Sequence, residues 1–342
     1  MESILVLTHV DEGGSALTKG SLEAVSAGVD LATRIKATLT IGILAADAKV
    51  AADQVAATGA KILAVSGEAF AQARYATDAA ALEALTRASS ATIVLAPGSS
   101  RVVRVAASVA YRLGGFIDTH ITTLGSSEAV EASRWFYRQR VEAAITRTNR
   151  PWFLLLDSGA FMAYTGAAGT ATVETVPVNV PEARTTVKGF RSPQQGQQTI
   201  RPDAKLLLVA GAGWTKKQPN GQVRVAEAGE IILKFLSLTH ASLGSSKSLV
   251  DQGGDGNSVL PFLSHLNQVG QTGSTPRHPK GLSTCCHGEE PHVVGWRFIG
   301  ERRAISLDPN CGWTRGKADV VYIADAFEVM PKVNELLEAA KG

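Results

Sequence analysis

Cysteine is scarce, with three in 342 residues. That excludes a disulfide framework and makes a reducing compartment, the cytoplasm, the expected setting. Aromatic residues are only 6% of the chain. The apolar bulk is Ala, Val and Leu, which suits helices packed on buried parallel strands better than an aromatic-rich β-sandwich. No apolar run approaches the roughly 18 residues that a membrane span needs. Met1-Glu2-Ser3 has none of the basic residues that open a signal peptide. Neither a transmembrane segment nor a cleaved leader is therefore expected. Neither sign of charge dominates, since 34 basic and 31 acidic residues leave a net +3. Charge gives no reason to expect a nucleic-acid partner. No period of 20–50 residues recurs, which excludes a solenoid. What remains is a chain with 45% hydrophobic residues, enough to bury real cores, and long enough for two domains.

The first half alternates short apolar runs with Ala-rich helical stretches. Strands are expected at Ile4–Leu7, Thr38–Leu44, Lys61–Val65 and Ala91–Ala96, and helices at 20–36, 48–57, 77–89 and 101–112. Continuously apolar strands in a βα alternation predict a doubly wound parallel sheet. From about residue 115 the pattern changes. Phe116–Leu124, Trp135–Thr148 and Trp152–Leu156 read as extended segments without helices between them, which predicts an antiparallel extension. The stretch 165–202 has no helical period, and its most polar part, Ser192 to Gln198, marks a linker. The expected organisation is an N-terminal α/β domain over 1–190, a linker over 191–204 and a second α/β domain over 205–342. In the second, strands are expected at Leu206–Val209, 239–243, 281–285, 302–307 and Ala318–Ile323. Helices are expected at 224–238, 246–252, 290–297 and 331–340, the last opened by Pro331 in its first turn.

Several clusters carry chemistry, each beside a plainer reading. Leu206–Ala210 ends in Gly211-Ala212-Gly213, where glycines let backbone N–H groups approach a phosphate. The G-x-G-x-x-G pattern is not completed, because position 216 is Lys, and a plain tight turn explains the glycines better. Gly244-Ser245-Ser246-Lys247 sets two hydroxyls and a cation where a helix begins, as an anion site or as an ordinary Ser cap. Gln268 to Gly273 offers amide, hydroxyl and backbone donors suited to the edge of a flat heterocycle, or a turn without a ligand. Cys285-Cys286-His287, with Cys311, lacks the paired spacing of a zinc or iron–sulfur site, so no metal is expected. Arg134 to Arg140 mixes cations and aromatics. On a strand it reads as a half-solvated or partner-binding face rather than a nucleic-acid stripe. No Ser/His/Asp triad, H-E-x-x-H or full P-loop is evident.

The second half resembles the FAD-binding domain of the electron-transfer flavoprotein alpha subunit family. Gly244 to Gly253 (GSSKSLVDQG) is similar to that family's G-A-S-R-A-A-V-D-A-G, and Gln268 to Gly273 to its Q-V-G-Q-T-G. Cys285 to Gly295 falls on G-I-S-G-A-I-Q-H-L-A-G, Ala304 to Pro309 on A-I-N-x-D-P, and Ala318 to Pro331 on A-D-Y-G-x-V-x-D-L-F-E-V-V-P. In the first half the likeness is looser, carried by Val94-Leu95-Ala96-Pro97 and Arg104-Val105-Ala106. The departures are Lys247 for the family's arginine, Ala212 for the cation of its G-R-G, Cys285-Cys286-His287-Gly288 for G-I-S-G, and Ser306 for its asparagine.

The resemblance implies a Rossmann-like FAD-binding C-terminal domain. It implies FAD contacts at Gly211, Gly213, Ser246, Lys247, Gln271, Thr272, Gly273, Gly288, His292, Ser306, Asp308 and Asp325. Thr272 would bond near flavin N5, and His292 would face the pyrimidine oxygen and stabilise anionic reduced flavin. Ser246 would meet the pyrophosphate, and Asp325 would lie toward the adenosine. The implied function is an electron carrier paired with a beta-like subunit. It would take electrons from flavoprotein dehydrogenases and pass them to a quinone reductase or similar acceptor. The segment 115–156 is the expected partner surface. Two other readings stand beside it: a structural or regulatory paralogue that has lost efficient flavin binding, and an unrelated adenine-nucleotide or universal-stress-like protein.

Overall fold

A computed structural model describes the chain except residues 1, 12, 127–129, 137–140, 190–199, 202–203, 252–258, 271–273, 275, 285–298, 311–317 and 342. Two compact units emerge, Met1–Phe190 and Arg191–Gly342.

In the first unit, strands β1 (Ser3–His9), β2 (Thr38–Ala45), β3 (Lys61–Ser66) and β4 (Ile93–Pro97) alternate with helices α1 (Lys19–Ile35), α2 (Lys49–Gln54), α3 (Tyr75–Ser89) and α4 (Ser100–Arg112). The expected helix at 48–57 divides into α2 and a 3-10 turn at Ala56–Thr58. Then come β5 (Phe116–Ser126), β6 (Val130–Phe136), β7 (Val141–Ile145), β8 (Trp152–Leu156) and β9 (Val173–Thr175). The sheet order is β7-β6-β5-β8-β4-β1-β2-β3-β9. Strand alternation divides the core between two faces. Ile4 and Val6 pack with α1 and α2, whereas Leu5 and Leu7 pack with α3 and α4. This is the double winding that the alternating pattern predicts.

Local chemistry fixes the helix ends. The Thr18 hydroxyl accepts the Ser21 N–H at 3.1 Å at the start of α1, and Lys36 closes that helix in the left-handed conformation. Gly28 is needed where α1 crosses β1, because a Cβ there would stand 2.3 Å from Val6 Cγ2.

Three expectations are corrected here. Trp152–Leu156 is not part of the antiparallel extension. It is a fully buried strand that pairs in parallel with both β4 and β5. The antiparallel ribbon consists of β5, β6 and β7. The run expected at Trp135–Thr148 is two strands, β6 and β7, and Tyr137 to Arg140 between them lie outside the described residues. The stretch read as irregular from 165 contains β9, which pairs in parallel with β3.

The second unit holds β10 (Leu206–Ala210), α5 (Val225–Thr239), β11 (Ser242–Ser245), α6 (Lys247–Asp251), β12 (Lys280–Thr284), β13 (Glu301–Ser306), β14 (Val320–Ile323) and α7 (Ala326–Ala339). All five strands are parallel, in the order β11-β10-β12-β13-β14. The strand expected at 239–243 begins only at Ser242, because His240 is spent as the left-handed cap of α5. The last helix starts at Ala326 rather than Pro331. Asp325 accepts the Phe327 N–H at 2.9 Å and so caps the helix five residues earlier than expected. Pro331 lies inside the helix and cannot donate to the Phe327 carbonyl one turn back. The helix expected at 290–297 lies outside the described residues, as does most of the linker.

Candidate functional site

In a doubly wound sheet, ligands collect beyond the carboxyl ends of the strands, where the strand order reverses. In the second unit that point lies between β10 and β12. Every described site residue from the sequence reading follows a strand at this edge: Gly211 and Gly213 after β10, Ser246 and Lys247 after β11, Ser306 and Asp308 at the end of β13, and Asp325 after β14. Gln271, Thr272, Gly273, Gly288 and His292 lie outside the described residues, as do Cys285 to His287 and Cys311.

The turn after β10 is tightly filled. Gly211 donates its N–H to the Thr284 carbonyl at 2.9 Å, and the Gly213 carbonyl accepts from the Gln218 amide at 2.9 Å. Gly211 has φ −93°, a conformation open to any residue. Trp214 is fully buried behind it. Its indole N–H donates to Thr284 Oγ1 at 2.9 Å, and its ring meets Phe327 at 4.6 Å between centroids. The tight-turn reading of these glycines is therefore met directly.

At β11, Ser246 accepts the Leu249 N–H at 3.2 Å, so its hydroxyl caps the short helix α6. Lys247 is held by Asp251 one turn later, and His265 Nε2 approaches the same carboxylate at 3.7 Å. Ser245 is fully buried, and among the described residues its Oγ has no hydrogen-bond partner. Beside it, Val269 donates its N–H to the Ser245 carbonyl at 3.0 Å, and Gln268 forms a strand-like bridge to Ser245. A Cβ on Gly244 would stand 2.6 Å from Val269 Cγ2. Gly270 turns with φ +83°, and its N–H reaches the Ser274 carbonyl at 2.8 Å. The ends of the 268–274 loop are thus pinned to the carboxyl end of β11.

On the opposite flank, Ser306 is buried and donates to the Asp308 carbonyl at 3.2 Å. The Asp308 carboxylate accepts the Asn310 N–H at 2.8 Å. Arg224, just before α5, stacks over Phe327 at 4.4 Å and bonds Glu227 at 2.6 Å. The bond to Glu227, with the fields of Asp325 and Glu328, holds the guanidinium above its ordinary pKa. The same bond keeps Glu227 below the usual carboxylate range. Trp214 and Arg224 were missed from the sequence. Their place shows only once α5 and α7 pack side by side. An Arg one residue ahead of a helix was the one available hint.

The first unit carries a buried polar hub that the sequence also hid. Asp118 accepts from the Trp152 indole at 2.9 Å, from Arg134 at 3.2 Å and from Arg147. Burial alone would raise its pKa. The bonds from Arg147 and Trp152 and the Arg134 charge outweigh burial and lower it. Arg134 lies over Phe136 at 4.4 Å and Arg147 over Phe116 at 5.3 Å. These two rings and Val141 remain partly exposed on the ribbon.

The family model of the electron transfer flavoprotein domain matches residues 6–181, more than half of the chain. The chain belongs to the electron transfer flavoprotein family. No curated protein matches it. The match runs through the first unit, where the sequence resemblance was looser, while the alpha-subunit motifs sit in the second. Membership carries an electron-transfer flavoprotein-like role, in a family that generally binds flavin. Among the described residues no helix is long and apolar enough to cross a membrane, and no cluster of side chains is arranged to hold a metal ion.

Proposed function

We propose that the chain is an alpha-like electron-transfer flavoprotein subunit that holds FAD at the carboxyl edge of the second sheet. The observation that carries this reading is the meeting of two motifs far apart in sequence. The 244–247 segment and the 268–274 loop are bonded together at the end of β11, with Gly244 required by the contact with Val269. The donor set fits a dinucleotide. Hydroxyls and a lysine stand on the β11 flank, and the carboxylates Asp308 and Asp325 on the β13–β14 flank, where ribose hydroxyls need acceptors. The unpartnered Ser245 hydroxyl adds a donor and acceptor on the phosphate side.

FAD, when bound, supplies the one- and two-electron chemistry. The chain's own part is to bind and orient. Lys247 brings a cation whose direction is set by Asp251. Ser246 stiffens the start of α6, and Asp325 sets the start of α7. By the family resemblance, Thr272 and His292 tune the redox-active ring, with His292 favouring its negatively charged reduced form. The partner is a beta-like subunit, for which the β5–β7 ribbon, with Phe116, Phe136 and Val141 partly exposed, is the docking surface. Flavoprotein dehydrogenases supply electrons, and a quinone reductase or similar acceptor removes them, in the cytoplasm.

The test is the visible spectrum of the chain co-purified with its beta-like subunit. Flavin absorption bands, released as FAD on denaturation, are the expected result. A colourless complex that takes up no added FAD would establish the flavin-free paralogue instead. That outcome has a structural basis in Trp214, which fills the turn after β10, and in Asp251, which already engages Lys247.

A further inference from the structure

The first sheet has its own reversal point. The chain runs outward from β1 to β3 and then returns to lay β4 against the other side of β1. Beyond the carboxyl ends of β1, β4 and β8 lies a cavity of about 140 Å³, lined by residues that include His9, Thr18, Glu23, Ser99 and Ser158. His9 is 7% exposed and Glu23 2%. Ser99 stands at the start of α4, where its Oγ accepts the Val102 N–H at a long 3.4 Å. A helix cap needs no imidazole, yet His9 Nε2 lies 2.8 Å from Ser99 Oγ. His9 Nδ1 lies 3.0 Å from the Val10 carbonyl, which can only accept. That assigns the ring proton to Nδ1 and leaves Nε2 as the acceptor for the Ser99 hydroxyl proton. Nucleophile, base and a group that orients the base are in line. The Val102 N–H in the first turn of α4 points to the same oxygen.

We propose that Ser99, with His9 as its base, is a reactive hydroxyl that accepts a short neutral acyl group from an activated carboxylic ester or thioester. Ser99 Oγ adds to the carbonyl carbon while its proton passes to His9 Nε2. The developing oxyanion faces the first turn of α4. Collapse breaks the bond to the leaving oxygen or sulfur, which takes the proton from His9, and the acyl group remains as an ester on Ser99. No electrons are gained or lost overall. The small cavity admits an acyl chain of only a few carbons. The Glu23 side chain in its wall, which accepts the Gly159 N–H at 2.8 Å, presents acceptor oxygens to the cavity and disfavours an anionic group there. Burial holds His9 below its ordinary pKa, with Arg101 acting in the same sense and the Val10 bond and Asp78 against it. The ring is therefore a neutral base at pH 7.

The experiment treats the full chain with p-nitrophenyl acetate and maps acetylated residues by peptide mass spectrometry. The expected result is a stoichiometric burst of p-nitrophenolate with the acetyl group on Ser99. His9→Gln should slow the burst at least ~100-fold. Ser99→Asn should abolish it while still supplying a side-chain cap to α4, and its thermal melt checks that the unit stays folded. Ser108→Ala, on the same helix, should change nothing. Acetylation spread over lysines, or a burst that survives in folded Ser99→Asn, would overturn the proposal. None of these readouts requires flavin, so this assignment and that of the second unit fail independently.

Discussion

A single buried proton acceptor makes the first unit sensitive to mild acid. His9 has its pKa lowered by burial, so the unfolded chain takes up a proton, near pH 6.5, that the folded unit resists. Stability from this residue is complete above that pH. It falls as pH drops from about 6.5 toward the lowered folded value. Urea midpoints at pH 7.5 and 5.5 should show this loss, and His9→Gln should flatten the difference. The paired carboxylates act lower on the scale. Glu2, held down by Arg150, and Asp118 lose their stabilising effect only as pH falls below the ordinary carboxylate range. Asp118→Asn leaves two guanidinium groups facing a neutral amide. Removing one partner of a buried charge cluster costs about 3–5 kcal/mol. Because Arg147 is about one-third exposed, the lower end is expected, as a reduced urea midpoint. On the proposed FAD assignment, Ser246→Ala in the second unit should weaken flavin retention with little change in potential, since its hydroxyl caps α6. His292→Ala should lower the flavin potential, read by spectroelectrochemistry on the heterodimer. A lost bond to a group that changes charge is worth about 1.5–3 kcal/mol, on the order of 60–130 mV for one electron.

At the level of elements, the β1–α4 alternation was readable because each apolar run is short and helical stretches separate the runs, two of them opened by side-chain caps at Thr18 and Ser99. The failures were non-local. Trp152–Leu156 has the look of a buried strand, but five apolar residues carry no information about which strand they join. Their pairing with β4 is decided by the return of the chain from β7. Pro331 suggested a helix start by a sound local rule, yet Asp325 and Glu328 provide a stronger one, an acidic cap followed by an acid in the first turn. The site divides in the same way. Motifs contiguous in sequence, such as Gly244 to Lys247, were legible. The roles of Trp214, Arg224 and Asp118 depend on distant partners such as Thr284, Phe327 and Trp152 and were not. Gly28→Val tests the closest helix–strand approach. Its first added carbon already falls within 2.3 Å of Val6 Cγ2, and a β-branched side chain leaves little room for relief. Overpacking of this kind costs about 1–3 kcal/mol, and a lowered melting temperature of the first unit is expected.

For the whole molecule, the exposed ribbon of the first unit predicts dependence on a partner. Expressed alone, the chain should self-associate or aggregate. Co-expressed with the proposed beta-like subunit, it should elute as one heterodimer by size-exclusion chromatography with light scattering. A well-behaved 35.9 kDa monomer that ignores that subunit would count against the assignment. A different consequence follows from the three residues of β9. After β8 the chain does not stop. Gly159 donates to Glu23, Tyr164 to the Leu22 carbonyl, Gly169 to the Asp53 carbonyl and Ala171 to the Asp53 side chain before β9 closes on β3. This stretch works as a clasp drawn over α1 and α2 and fastened at the far side of the sheet. A ribosome-bound chain that has emerged only through residue 156 holds eight of the nine strands but not the fastening. The open border at β3 is then the place where a nascent chain is vulnerable to wrong pairing and to proteases, and synthesis of the stretch that ends in β9 removes that exposure.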